Sequence, residues 1–536
     1  MNVYDISNYP DRTIGKALEF QAATNAEALW IWAGERRVSF GEADRLVNRL
    51  AHGLQAIGVR KGDLVAMLME PSAEMVLIAF AAAKLGGVFT AINTDFRGEF
   101  LREAIRDTTA RVMIVDESLA DRLQDLSSLT PVEHLYVNGR PRDAGKVAAK
   151  AFEELYGDDE TAPTPDAPPH WRDTVQIWWS SGTTGKSKGV MFSHSHLLFL
   201  ADQYVKHRAK PGAVLYSCTP MYLGVPWVSS VYPGVLGGLV GALDPRFSVS
   251  NFWDRVRYYG ATNIHTLGAM HMMLWKQPPR ADDRDNPARF AYMIPTPHDL
   301  VSKFKARWGL EDMPQAYGTS ETYVLLEAAD DGTPWDGSAI GRPLPHIEVK
   351  LVDDNDQDVG VGEVGEICSR PKLPGIMFSG YFNEPERTLE TFKDLWYHTG
   401  DMALRDENGV FHFADRKKDY VRYKGRSISN VEVESVIYKH EGVADVAAYG
   451  VQSEELASEQ ELAICVVPRP NVSIDPMELA SFINDNAPYY FVPRYIDFVD
   501  NLPRNAHGRT LKHELRDRGP SANVWDRDRS GFKARR

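Results

Sequence analysis

The segment 180–189, SSGTTGKSKG, sits between two apolar runs, 175–179 and 189–192, that each read as a short strand. The chain must therefore fold so that two strands are joined by a loop whose backbone can approach an anion closely. Its three glycines remove the Cβ, its hydroxyls add neutral donors, and Lys186 and Lys188 bring positive charge. This is a phosphate grip. A Walker loop would carry glycine where Ser180 stands and would open a helix, whereas this loop leads back into a strand. Taken alone, such a segment also suits a solvated turn, so its meaning depends on the rest of the chain.

At 536 residues the chain exceeds what one core holds, and two or more domains are expected. A formal net charge of −14 disfavours nucleic acid as a partner, so any anion site must be made locally. Cys218, Cys368 and Cys465 lie far apart without metal-ligand spacing and read as buried thiols in a reducing cytoplasm. The first residues include acids and no apolar run of the signal-peptide kind. The most apolar stretches, 75–83 and 231–243, fall short of the roughly 18 to 20 residues of a spanning helix. A cytoplasmic chain without a membrane span is expected.

Between residues 40 and 130, helix-like stretches at 40–57 and 73–85 alternate with short apolar runs at 64–68 and 112–115, which implies a parallel sheet layered with helices. The pattern resumes after the glycine-rich loop, with a helix from about residue 197, strands at 214–217 and 263–266, and a helix at 251–259. The Asp-, Thr- and Pro-rich stretch 157–170 reads as an exposed connector. Past residue 340 come short strands with Gly and Asp turns, which predict a β subdomain. After residue 418, helices at 431–440 and 476–484 and strands at 446–451, 462–467 and 495–499 form a compact module. The expected class is α/β: a large N-terminal domain of layered sheets and helices with a β subdomain over 1–415, and a small mobile α+β C-terminal domain over 419–536.

Three more motifs follow the loop at wide intervals: AYGTSET at 316–322, WYHTGD at 396–401 and FADRKKD at 413–419. In this order the four segments resemble the adenylate-forming superfamily of acyl-CoA synthetases, peptide-synthetase adenylation domains and firefly luciferase. Within it the chain is most similar to bacterial acyl-CoA ligases of the crotonobetaine/carnitine-CoA ligase type, through FWDRVRYYGAT at 252–262, KQPP at 276–279 and VWDRD at 524–528.

The resemblance implies an ATP-dependent ligase acting on a small carboxylic acid. A free carboxylate resists substitution because its leaving group would be oxide. Attack on the α-phosphate of ATP gives acyl-AMP and pyrophosphate, and coenzyme A then displaces AMP. That route needs a phosphate grip, a metal, a cation at the α-phosphate, a ribose anchor and an acid pocket. By the same resemblance, Ser181, Gly182, Thr183, Thr184, Gly185, Lys186 and Lys188 would hold the phosphates. Glu321, with Thr184, would hold Mg2+, a cation suited to one carboxylate plus phosphate oxygens, and Ser320 would lie near the α-phosphate. Tyr317 would stack on adenine beside Gly318, Asp401 would accept from both ribose hydroxyls, and Arg416 would reach the ribose or a phosphate. Residues 416–418 would form the hinge, at Lys418, with Arg422, Lys424 and Gly425 on a loop that faces the site in one half-reaction. The acid pocket would draw on Trp227, Val228, Tyr232, His265, Leu267, Met270 and Tyr323. Such a lining suits an apolar or aromatic acid, and equally a quaternary ammonium. No nucleic acid enters this chemistry, and a homodimer is compatible with it.

Four positions depart from the family pattern. Ser187 stands for proline, Leu223 for histidine, Arg426 for glutamate and Arg509, in LPRNAHGRTLKHELR, for the adenylating lysine. Arginine keeps the charge but spreads it over a planar fork. Three readings stay open at 509: an enzyme that still adenylates, a deliberately altered position, and a nucleotide-binding homologue without the first half-reaction. The first is favoured because the other nucleotide motifs are present. Transfer of the acyl group to a carrier protein is the enzymatic alternative.

Overall fold

The computed structural model describes residues 2–123, 131–141, 147–180, 187–330, 332–333, 335, 339–353, 355–416, 420–423, 426–453, 459–503, 510, 512–521 and 524–535. Two sheets with parallel strands at their centres carry the first part of the chain. In a seven-stranded sheet, Leu64–Leu68, Val88–Ala91, Val112–Asp116 and His134–Asn138 run parallel. Helices cover both faces, so the strands Leu64–Leu68 and Val88–Ala91 are buried at every residue rather than at alternate ones. Helix Ala73–Lys84 is buried along its whole length, and Ser72 caps it by accepting from the Met75 N–H at 3.2 Å.

The edge of this sheet shapes the loop. Strand Thr174–Ser180 pairs parallel with Val88–Ala91 and antiparallel with Lys188–Ser193, so the glycine-rich segment joins strand to strand as its flanks predict. A six-stranded sheet follows, ordered Phe290–Ile294, Asn263–Leu267, Val214–Ser217, Val240–Leu243, Leu29–Ala33, Arg36–Ser39. The main core includes Trp30, Phe80, Phe89, Trp227 and Tyr232 and draws on both sheets and on helices Ile14–Thr24, Phe40–Ala56 and Ala73–Lys84.

An eight-stranded sheet with antiparallel pairing spans Gln315–Thr319 to Phe411–Arg416 and supplies the expected β texture. Beyond it, a four-stranded sheet of Val443–Gln452, Gln460–Pro468, Tyr495–Phe498 and Trp525–Asp526 packs with helices Asn430–Ile437 and Pro476–Asn486. Its apolar core, from Val421 to Ile496, is built from its own residues. Among the described residues no helix is long and apolar enough to cross a membrane. All three cysteines are free and buried, and burial pushes the Cys218 and Cys368 thiols up to about 12.

One expectation needs correction. The helix expected from about residue 197 begins at His194, because the Ser193 Oγ accepts from the His196 N–H at 3.2 Å and starts the helix a turn earlier. The stretch 157–170 lacks regular structure and is largely exposed, as expected, and it is also tied down. Helix Phe40–Ala56 holds it: Arg49 donates to the Gly157 carbonyl at 2.7 Å, Asn48 to Glu160 at 2.8 Å and Gln55 to Thr164 at 3.2 Å. Just before this strap the chain lies so close to the helix that a Cβ on Gly53 would stand 1.6 Å from the Leu155 carbonyl oxygen. Gly53→Ala should therefore cost more than about 2 kcal/mol, against the few tenths expected of an exposed helix site, measured as a shift in denaturant midpoint.

Candidate active site

Lys188 opens the strand Lys188–Ser193, and that strand takes a second partner on its free side. The Met191 N–H donates to the Gly380 carbonyl at 3.0 Å, Ser379 N–H to Met191 at 2.8 Å and Phe382 N–H to Gly189 at 2.8 Å. This pairing sets Tyr381 beside Lys188. Glu321 enters from the turn between strands Gln315–Thr319 and Tyr323–Ala328, and its carbonyl accepts from the Phe378 N–H at 3.0 Å. Its buried carboxylate forms an ion pair with the Lys188 ammonium. The Tyr381 hydroxyl donates to Glu321 Oε1 at 2.7 Å and accepts from Lys188 Nζ at 3.0 Å.

Burial acts to raise the Glu321 pKa, but the Lys188 charge and the hydrogen bonds from Lys188 and Tyr381 outweigh it and hold the carboxyl below its ordinary value. Burial, and then the Glu321 charge, push Tyr381 and Tyr397 up. Sequence reasoning missed both tyrosines. No motif marked GYF at 380–382, and Tyr397 lies within WYHTGD, where attention fell on Asp401.

Asp401 lies within the strand Trp396–Arg405, after Gly400 at φ +76°. The Gly400 N–H donates to Glu366 at 3.0 Å, and the Thr399 hydroxyl donates to the Ile367 carbonyl at 2.8 Å, so the neighbouring strand Val364–Pro371 fixes the turn. Asp401 Oδ2 accepts from the Tyr317 hydroxyl at 2.8 Å. Across the ladder Asp401 stands opposite Arg416. The motifs at 316–322, 396–401 and 413–419 thus meet. Gly318 admits no side chain here, since a Cβ would lie 1.4 Å from the Tyr323 carbonyl oxygen.

Of the residues expected at the acid pocket, His265 is buried with its ring centroid 5.5 Å from Tyr204, 5.6 Å from Tyr292 and 6.3 Å from Phe290. Burial pushes its imidazole down to about 3, so it stays neutral. Tyr204 is also within electrostatic reach of Tyr323, a residue at φ +60° two positions after Glu321. Leu267 and Met270, half-buried, flank the start of helix Gly268–Lys276. Trp227 and Val228 pack in the main core, the cluster against which Tyr292 and Tyr323 also pack. The Trp227 ring lies 5.0 Å from Phe89 and 5.7 Å from Tyr232, and its indole N–H donates to the Met221 carbonyl at 2.8 Å.

Ser320 lies in the turn beside Glu321. Ser181, Gly182, Thr183, Thr184, Gly185, Lys186, Lys418, Lys424, Gly425 and Arg509 lie outside the described residues. Arg416 and Arg422 sit on strands Phe411–Arg416 and Tyr420–Tyr423, with their side chains outside the described set.

The AMP-binding enzyme family matches residues 18–382, and the AMP-binding enzyme C-terminal domain matches residues 432–509. The chain belongs to the AMP-binding enzyme family, within the adenylate-forming superfamily, and is an enzyme. The crotonobetaine/carnitine–CoA ligase of Salmonella agona (strain SL483) is 26% identical over 489 residues, covering 90% of this chain and 93% of that protein. Among solved structures, a double mutant of the o-succinylbenzoate CoA synthetase from Bacillus subtilis, bound with a product analogue, is 24% identical with a TM-score of 0.80, covering 94% of this chain and 99% of that one. The same synthetase in complex with its acyl-adenylate intermediate gives a TM-score of 0.66 at 24% identity, covering 94% and 98%. The amide bond synthetase McbA from Marinactinospora thermotolerans is 23% identical with a TM-score of 0.80, covering 94% and 99%. These structural likenesses bear on the fold.

Removing the ammonium from the Lys188–Glu321 pair leaves a buried carboxylate uncompensated. Lys188→Met should destabilise the protein by about 3–5 kcal/mol near neutral pH. Because the folded Glu321 pKa is depressed, its contribution is present above the ordinary glutamate range and lost as pH falls through the folded value. In the variant the carboxyl protonates earlier. The gap between parent and variant should therefore narrow from neutral pH to about pH 5, read as denaturant midpoints at each.

Proposed function

We propose that this chain is an ATP-dependent acid–CoA ligase that forms an acyl-AMP with release of pyrophosphate and then passes the acyl group to coenzyme A. The observation that carries this reading is that Tyr317, on the strand leading into the turn that holds Glu321 against Lys188, meets Asp401, which pairs across the ladder with Arg416. In this reading Asp401 accepts from the ribose hydroxyls, Tyr317 stacks on adenine with Gly318 keeping the backbone close, and Lys188 with residues 181–186 holds the phosphates. Ser320 and Arg416 serve near the α-phosphate and ribose. Domains 1–415 and 419–536 move about Lys418, which brings Arg509 or the loop with Arg422, Lys424 and Gly425 to the site in turn.

Among the described residues no three His, Cys, Asp or Glu side chains converge as a metal cage. A single buried, ionised carboxylate does fit a Mg2+ that takes its remaining ligands from phosphate oxygens, and Glu321 with Thr184 would hold it. When bound, the metal neutralises phosphate charge. The neutral His265 among aromatic rings supports an apolar or aromatic acid. Three buried thiols suit the cytoplasm. The likeness to an amide bond synthetase favours, as a second reading, transfer of the acyl group to an acceptor other than coenzyme A.

The test is a panel of carboxylic acids with ATP and Mg2+. Acid-dependent pyrophosphate release supports adenylation, and coenzyme A-dependent AMP release separates the ligase from the second reading. Pyrophosphate release with no acid in the panel would overturn the proposal. Asp401→Ala should weaken ATP binding at least about tenfold by calorimetry, since two hydrogen bonds to a charged group are each worth roughly 1.5–3 kcal/mol.

Arg509 decides the first half-reaction. Arg509→Ala should slow single-turnover acyl-adenylate formation far more than thioester formation from preformed adenylate, and Arg509→Lys should speed the first step, because a compact ammonium fits between two oxygens where a fork does not. Adenylation by the alanine variant at the parent rate would remove residue 509 from the chemistry.

A further inference from the structure

Three contacts and one close approach, at separate points along the chain, join the C-terminal module to the N-terminal body. The Asn93 side chain donates to the Tyr490 hydroxyl at 2.9 Å. Phe100, on helix Gly98–Thr108, meets Phe491 edge to face, with centroids 5.3 Å apart and planes at 83°, and Phe96 backs it at 5.9 Å. Ser187 Oγ lies 3.4 Å from Glu432 Oε1. A Cβ on Gly268 would stand 3.0 Å from Glu459 Oε1. Phe100 is half-buried, and what it packs against is the core of the other module, the cluster running from Val421 to Ile496.

Glu432 lies in the first turn of helix Asn430–Ile437, directly after the hairpin of strands Tyr420–Tyr423 and Arg426–Ser429. Its contact with Ser187 brings that hairpin to the rim of the glycine-rich loop. The TM-score is 0.80 against the B. subtilis synthetase bound with its product analogue and 0.66 against the same synthetase with its acyl-adenylate.

We infer that Phe100 is a positioning residue for the second half-reaction: seated against Phe491, it holds the C-terminal module in the arrangement that presents the 420–429 hairpin to the site. The inference rests on the acid–CoA ligase reading. On that reading adenylation requires Arg509 at the α-phosphate instead, so the module must leave this seat once per turnover. An edge-to-face aromatic contact with one neutral hydrogen bond beside it suits that demand, since neither strands a charge on release. Phe100 touches no reacting atom, and its effect should fall on one half-reaction.

The two half-reactions are measured separately in the full chain, as single-turnover pyrophosphate formation and as thioester formation from isolated acyl-adenylate plus coenzyme A. Phe100→Ala should slow the thioester step at least about tenfold and leave adenylation within about twofold, with Phe100→Tyr restoring most of the loss. Equal slowing of both steps, or of neither, overturns the inference. A structural readout runs beside it. Ser187→Cys with Glu432→Cys, bridged by dibromobimane while the three native thiols stay buried, reports the seated arrangement without any reaction. Adding Phe100→Ala should cut the bridged yield severalfold, and an unchanged yield overturns the inference whether or not the parent adenylates. A parent that adenylates no acid, with bridging still lost in Phe100→Ala, places the failure in the ligase reading and not in the contact.

Discussion

A buried carboxylate must keep a partner, and Glu321 keeps two. Stripping a charge of water costs several kcal/mol per ion, so the Glu321 side chain is tolerable only where Lys188 and Tyr381 reach it together. That requirement fixes three distant parts of the chain. Lys188 must begin an edge strand, residues 378–382 must lie along that strand, and the turn after Gln315–Thr319 must project Glu321 inward. The glycine-rich loop, closed between Ser180 and Lys188, is anchored at the same point.

The second anchor follows from the first. The strand that leads into Glu321 also carries Tyr317, whose hydroxyl reaches Asp401 on a strand of the same eight-stranded sheet. Gly318, between them, lets the ladder close to a distance that no side chain would permit. A nucleotide bound between these anchors would meet a carboxylate at one end and a lysine at the other. On the proposed reading, the chemistry then depends on what the C-terminal module brings to that gap. Its own core, and contacts with the N-terminal body that include the edge-to-face meeting of Phe100 and Phe491, suit a part that changes position.

Much of this was legible in the sequence, for reasons that differ by feature. Strands such as Leu64–Leu68 and helices such as Ala73–Lys84 showed because they are buried at nearly every residue and so read as apolar runs. The strand-to-strand setting of the glycine-rich loop showed because its flanks are apolar. Tyr381 did not, since its place beside Glu321 arises from a non-local pairing of 378–382 with strand Lys188–Ser193 that no local pattern encodes. The packing of Trp227 against Phe89 and Tyr232 did not show either, because an aromatic in an apolar run gives no sign of which neighbours it meets. The exposed stretch 157–170 showed in its composition but its ties to helix Phe40–Ala56 did not, because they run mostly through its own backbone carbonyls, which any composition would supply.

The central claim is that these anchors hold ATP so that a carboxylate oxygen attacks its α-phosphate. The most direct test follows that oxygen. A carboxylic acid accepted by the enzyme, labelled with heavy oxygen in its carboxyl group, is turned over with ATP and coenzyme A, and the AMP and pyrophosphate are weighed by mass spectrometry. The account predicts one labelled oxygen in AMP and none in pyrophosphate, because the acyl–oxygen bond breaks when the thiol displaces AMP. Label in pyrophosphate, unlabelled AMP, or ADP with labelled phosphate would contradict it.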